Sequence, residues 1–316
     1  MTTLKKASLA ASVLAASLMA SSGASALAFD QDVTPDLING TGNANGGFTV
    51  DQANGIEVGL RGKLRHNASG APENTFNSNG TGTGTYTFNA GVAPTQSFPT
   101  AEWSFEWSVN VDYLQGTTAA TGFSLSDLSY FLELDQDPAA GSANFFGFDP
   151  IMGPRLTYGD QLVDQWDHAI GNNLTGNGGG SKVENVDTED NPTTEPTDIQ
   201  TAQNAYAALV NNNNVAQNSW KPSWFIPGFD PEVGGEYEIR LSVFAPSDGI
   251  IDGTTGVGDD NPTPPLSVAL ASTSIRILVE GGTTPSGDVP VPATLALFGV
   301  GLLGAAASRR RQRRSL

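Results

Sequence analysis

The acidic run Glu133-Leu134-Asp135-Gln136-Asp137 is the part of this 316-residue sequence best equipped for chemistry. If it lies at the end of a β-strand, alternation puts the three carboxylates on one face and Leu132 and Leu134 on the other. Two carboxylates flanking a glycosidic bond can hydrolyse it, with retention at about 5–5.5 Å separation and inversion at about 6.5–9.5 Å. Glu133 and Asp135, two apart on one strand face, suit the shorter distance. The same oxygens are the hard ligands that calcium takes, so Asp135, Asp137 and Asp149 form one candidate calcium set; Asp248, Asp252, Asp259 and Asp260 form a second. Aspartates that only build turns have the same signature. The acids therefore assign no catalytic residue and no metal ligand. The expectation is a chain that is not an enzyme and needs no cofactor, calcium being the ion its acids would suit.

Other chemistries are excluded more firmly. There is no cysteine, which removes thiolate nucleophiles, thiolate metal sites and disulfides. The two histidines, His66 and His168, stand in no metal-ligand spacing and read as plain structural or surface residues. No Gly-x-Ser-x-Gly elbow, phosphate-binding glycine loop or dinucleotide fingerprint occurs. Trp220, Trp224, Phe225 and Phe229 cluster around Pro222 and Pro227, and would either stack against sugars or fill a core. The acidic run partly resembles the Glu-x-Asp-x-x-Glu signature of retaining β-glucanases of the jelly-roll type, with Pro138 standing where that pattern has its second glutamate.

The elements that must position these residues read as strands. From residue 102 to 113, Trp103, Phe105, Trp107, Val109, Val111 and Tyr113 alternate with Glu102, Ser104, Glu106, Ser108, Asn110 and Asp112. A period of two over twelve residues predicts a strand covered on one side only. Shorter alternating runs at 56–64, 85–88, 130–134, 237–243 and 274–279 are separated by Gly, Asn, Thr and Pro clusters. The expected fold is all-β: an antiparallel β-sandwich, jelly-roll-like, its core faced by Trp103, Phe105, Trp107, Tyr237, Ile239, Leu241 and Val243. The last two runs flank a Gly/Asp/Pro-rich stretch at 247–265 and read as a hairpin with an enlarged connection. Residues 171–198, Asn/Gly-rich and then acidic with prolines, predict a flexible, disordered insertion. Asp198 could cap a short helix through residues 199–210, with the Asn211–Asn214 run ending it.

The ends give the address. Residues 1–28 have a basic start at Lys5 and Lys6, an apolar run, and small residues at Ala26 and Ala28, the pattern of a secretory signal peptide cut after Ala28. The body, residues 29–288, follows. In residues 289–316, Val289-Pro290-Val291-Pro292 precedes an apolar stretch at 293–307, then Arg309, Arg310, Arg311, Arg313 and Arg314. The stretch is just long enough for a transmembrane helix, and the arginines hold its far end in the cytoplasm, so the body lies outside. A short Pro-x-Pro motif, one weak membrane helix and an arginine cluster, in that order, resemble the sorting tail of the PEP-CTERM family, with Val291 where members carry glutamate. The resemblance implies processing by an exosortase-like membrane transpeptidase, transient anchoring in the inner membrane by the C-terminal helix, and a place at the cell surface or in the extracellular matrix. It also implies exopolysaccharide or biofilm as the setting, in which the body would be a structural or adhesive component; a glycoside hydrolase or calcium-dependent lectin-like binder is the alternative.

Between residues 29 and 292 stand all 33 acidic residues and 8 of the 15 basic ones, a formal charge of −25. Such a body repels phosphate backbones, which excludes nucleic acid as a partner.

Overall fold

A computed structural model describes residues 26–78, 82–141, 143–151, 155–158, 161–164, 168–183, 196–245 and 268–283. The chain runs through β1 (Ala28–Gln31), β2 (Phe48–Ala53), β3 (Ile56–His66), β4 (Pro72–Thr75), β5 (Thr85–Asn89), β6 (Trp103–Asn110), β7 (Ser129–Asp135), β8 (Phe145–Phe148), β9 (Arg155–Tyr158), β10 (Gln161–Asp164) and β11 (Ala169–Gly171). The helix α1 (Pro196–Asn212) comes next, then β12 (Val215–Trp220), β13 (Gly235–Phe244) and β14 (Ala271–Glu280). Each alternating run of the sequence supplies one of these strands, but the strand expected over 102–113 is shorter, β6 ending at Asn110 where residues 111–113 enter a turn.

Two sheets carry the fold. The first has the order β1-β2-β3-β6-β12-β11, with β4 added to β3; the second has the order β5-β14-β13-β7-β8. The strands β9 and β10 form a separate hairpin. Among the described residues strand pairing is antiparallel except between β14 and β5, which run parallel with Arg276 opposite Thr85, a departure from the fully antiparallel sandwich expected. As expected, β13 and β14 pair as neighbours, Gly235 opposite Val279 through Val243 opposite Ala271. Their connection at 247–265, with its four candidate calcium ligands, lies outside the described residues.

Trp103, Phe105, Trp107 and Val109 on the first sheet meet Tyr237, Ile239, Leu241 and Val243 on the second, all at most 3% exposed. The rings of Trp103 and Tyr237 are 5.4 Å apart across the interface. Gly62 sits where the sheets pack tightly: a Cβ there would lie 2.8 Å from Ile277 Cδ1 and Tyr86 Cβ.

The opposite face of the first sheet departs from expectation. Ser104, Glu106, Ser108 and Asn110, the polar half of the alternation, are as buried as the aromatic half. Residues 32–47 cross this face as a strap, with Val33 and Leu37 packed on Phe48 and Val50. Gly59 makes room for it, since a Cβ there would lie 2.7 Å from Val33 Cγ1. The first half of the expected flexible insertion is built into the same cover: Gly178 N donates to Leu37 O (2.9 Å), Gly180 N to Ile38 O (3.0 Å), and Asn177 Nδ2 to Asn43 O (2.7 Å). Asn173 and Asn177 spend their side chains on sheet and strap groups, which accounts for asparagine in this stretch. Residues 184–195 lie outside the described residues. The helix starts at Pro196, before Asp198, which therefore sits in its first turn instead of at the cap; proline at the first helical position needs no N–H partner. At 17 residues it is longer than expected.

Candidate functional site

The acids singled out in the sequence serve the end of β7. Glu133 lies opposite Arg240 of β13, half-buried, and its burial raises its pKa while Arg240 pulls the other way. Arg240 itself holds Glu238, at 2.8 and 3.0 Å. Asp135 is 3% exposed, and its Oδ1 accepts N–H groups from Asp137 (3.0 Å) and Asn144 (2.9 Å), which closes the connection to β8. The strand ends at Asp135, so alternation does not place Asp137; its Oδ1 accepts the N–H of Ala139 at 2.9 Å. Asp149 Oδ1 accepts the N–H of Ile151 at 2.8 Å. All three calcium candidates thus cap turns. Among the described residues no group of three or more His, Asp or Glu side chains gathers to hold a metal ion.

The aromatic cluster divides. Trp220 and Phe229 are buried, and Phe225 stacks on Phe148 at 5.2 Å with 10° between the rings. Trp224 alone of the four is exposed, at 39%, with Lys221 Nζ 5.4 Å and the Arg65 guanidinium 5.9 Å from its ring.

A dense electrostatic arrangement among the described residues lies on a face expected in solvent. Along β3, Arg61 and Lys63 point to the outer face, and Arg61 is the cross-strand partner of Glu106 on β6. Arg61 Nε donates to Glu106 Oε2 at 2.5 Å and its Nη2 pairs with the same oxygen; Nη1 donates to Ala44 O of the strap at 2.9 Å. The guanidinium also lies over the rings of Phe48 (4.3 Å) and Phe76 (3.9 Å). Lys63 Nζ is 3.3 Å from Glu106 Oε1 and in contact with Asn43 Oδ1, while Asn43 Nδ2 donates to Glu106 Oε1 at 3.2 Å. Burial alone would raise the Glu106 pKa, but Arg61 and Lys63 outweigh it and hold the carboxyl below its usual range. Burial lowers the pKa of both cations, with Glu106 opposing. Two cations thus share one anion in a site closed by the strap. Cationic Arg61-x-Lys63-x-Arg65 alternation in an otherwise acidic body was the sequence signal for this cluster.

A second buried polar contact joins α1 to the sandwich. His168 is 1% exposed, with Nε2 2.5 Å from Tyr206 Oη, which donates its own proton to Ile151 O. Desolvation drops the His168 pKa to about 3.

Ala26 and Ala28 are described at the entry to β1; residues 1–25 of the expected signal peptide lie outside the described residues, as do Val289, Pro290, Val291, Pro292, the apolar stretch and the five arginines. Among the described residues no helix is long and apolar enough to cross a membrane. No curated protein and no solved structure matches the chain. Residues 288–311 match the PEP-CTERM protein-sorting motif, which marks the chain for export, for processing by exosortase, a membrane enzyme, and for the cell surface.

Proposed function

We propose that the exported body is a non-catalytic structural or adhesive component of the exopolysaccharide or biofilm around the cell. Until exosortase acts, the C-terminal helix anchors the chain in the inner membrane; afterwards the sandwich is released to the surface or matrix. The observation that carries the non-catalytic reading is the use of Asp135, the second acid of the hydrolase-like pair. Its Oδ1 accepts two backbone N–H groups that hold the β7–β8 connection together, so the carboxylate is committed to the fold. Trp224 favours a lectin-like variant of the same role, because an exposed indole beside two cations offers a face for a sugar ring and charge for an acidic one.

The purified mature body is incubated with a polysaccharide panel, with calcium and with chelator, and binding and new reducing ends are both measured. Binding without cleavage is the expected result, weakened in Trp224→Ala. New reducing ends that vanish in Glu133→Gln would replace this reading with a glycoside hydrolase. Mass spectrometry of the surface-associated chain checks the address: the mature species should begin at Phe29 and lack residues 295–316.

A further inference from the structure

Where the strap meets the first sheet, three groups from which an amide can be made without a cofactor stand in contact: the Lys63 amine, the Asn43 carboxamide and the Glu106 carboxylate. Glu106 Oε1 lies 3.3 Å from Lys63 Nζ and 3.2 Å from Asn43 Nδ2, so one oxygen bridges the nitrogen that would attack and the nitrogen that would leave. Arg61 engages the other oxygen, Oε2. Asn39 O also accepts from Asn43 Nδ2, at 3.3 Å, which fixes the amide with its carbonyl toward Lys63. Lys63 and Glu106 are 8% and 1% exposed, which shields the attacking amine and the proton carrier from bulk water.

We propose that Lys63 and Asn43 become joined by an intramolecular isopeptide bond, with Glu106 as the proton carrier. Glu106 takes a proton from the Lys63 ammonium, and the neutral amine attacks Asn43 Cγ, forming the Nζ–Cγ bond as the carbonyl pair moves onto Oδ1. Glu106 returns its proton to Nδ2, the pair on Oδ1 re-forms the carbonyl as the Cγ–Nδ2 bond breaks with its own electron pair onto nitrogen, and ammonia leaves. The surplus Nζ proton follows through the same carboxylate, so the products are one secondary amide and one ammonium ion, with no oxidant or reductant required. The site's charge favours this direction: Arg61 and Lys63 against Glu106 leave one buried cation uncompensated, and the amide removes it. Burial also weakens the Lys63 ammonium, aided by Arg61 and opposed by Glu106.

The bond would close the chain between residues 43 and 63 and lock the strap to β3. Like a disulfide, such a closure removes conformations from the unfolded chain. It does so in a body with no cysteine, where thiol chemistry supplies no staple.

The folded full chain is denatured, digested with trypsin and sequenced by mass spectrometry. An acylated Lys63 is not a trypsin site, so the expected product is Gly62-Lys63-Leu64-Arg65 joined to the peptide ending at Arg61, lighter than the two linear peptides by one ammonia. Asn43→Ala, in the partly exposed strap, should restore cleavage after Lys63, and Glu106→Gln should yield linear peptides only. Wild-type chain that is cut after Lys63 with the Asn43 peptide unlinked would overturn the proposal. A cross-link that persists in Glu106→Gln would overturn the role of that carboxylate. If Glu106→Gln does not fold, wild type against Asn43→Ala still decides.

Discussion

The two faces of β6 are equally dry and chemically opposite. On one, Trp103, Phe105, Trp107 and Val109 pack against the second sheet; on the other, Ser104, Glu106, Ser108 and Asn110 are sealed under residues 32–47 and 171–180. The inner face is held by contact area, which needs no particular partner atom. The outer face is held by partner atoms: Glu57 Oε1 accepts the N–H of Thr34 (2.5 Å), Gln217 Oε1 that of Ile38 (2.8 Å), and Asn110 Nδ2 donates to Thr34 O (2.7 Å). An alternating pattern reports which chemistry each side of a strand has, and leaves open whether the polar side is wet.

The comparison breaks most readily at its centre. Trp107→Ala should cost about 3–5 kcal/mol as a buried aromatic truncation. Glu106→Ala should cost about as much, about 3–5 kcal/mol, because it strands two buried cations. Denaturant unfolding of both variants checks this; a change within about 0.5 kcal/mol for Glu106→Ala is what a solvent-exposed acid would give.

Acid sharpens the comparison by titrating one edge of the core. The folded state holds His168 neutral down to about 3, whereas the unfolded chain protonates it near 6.5. The unfolded state then binds the extra proton, so stability from this residue is full above pH 6.5 and declines below it, by about 2 kcal/mol at pH 5. Unfolding followed against pH should show this slope in wild type and lose it in His168→Asn; equal slopes would mean that the ring reaches water.

A smaller effect probes the seat of the strap. Gly59→Ala puts a methyl 2.7 Å from Val33 Cγ1, and overpacking of this kind costs about 1–3 kcal/mol. Thermal melting measures it, and an unchanged melting temperature would mean that Val33 does not rest there.

Much of the inner architecture was legible in the sequence because apolar burial follows periodicity. The runs at 102–113 and 237–243 gave their strands and every one of the seven core residues they were expected to supply. What was not legible depended on segments far apart in the chain. Nothing local to Glu106 announces that residues 32–47 cover it, or that Asn43, 63 positions earlier, meets it. The parallel β14–β5 pair is likewise a matter of topology, not of pattern. Asn-rich 171–180 looked solvated because its composition is polar, yet Asn173 Oδ1 accepts from Asn110 Nδ2 at 2.6 Å inside the cover. At the candidate site, the sequence found Asp135 but not its occupation with backbone N–H groups. The sorting tail was legible as a family resemblance, since it consists of local segments in fixed order.

Residue-resolved hydrogen exchange of the native body tests most directly whether the strap seals the outer face. The amides of Thr34 and Ile38 donate to Glu57 and Gln217 beneath them. They should exchange only through opening of the strap, far more slowly than an open loop. Exchange at both positions as fast as in an unstructured chain would contradict a buried outer face, and with it the ionic cluster's distinction from an ordinary solvated surface.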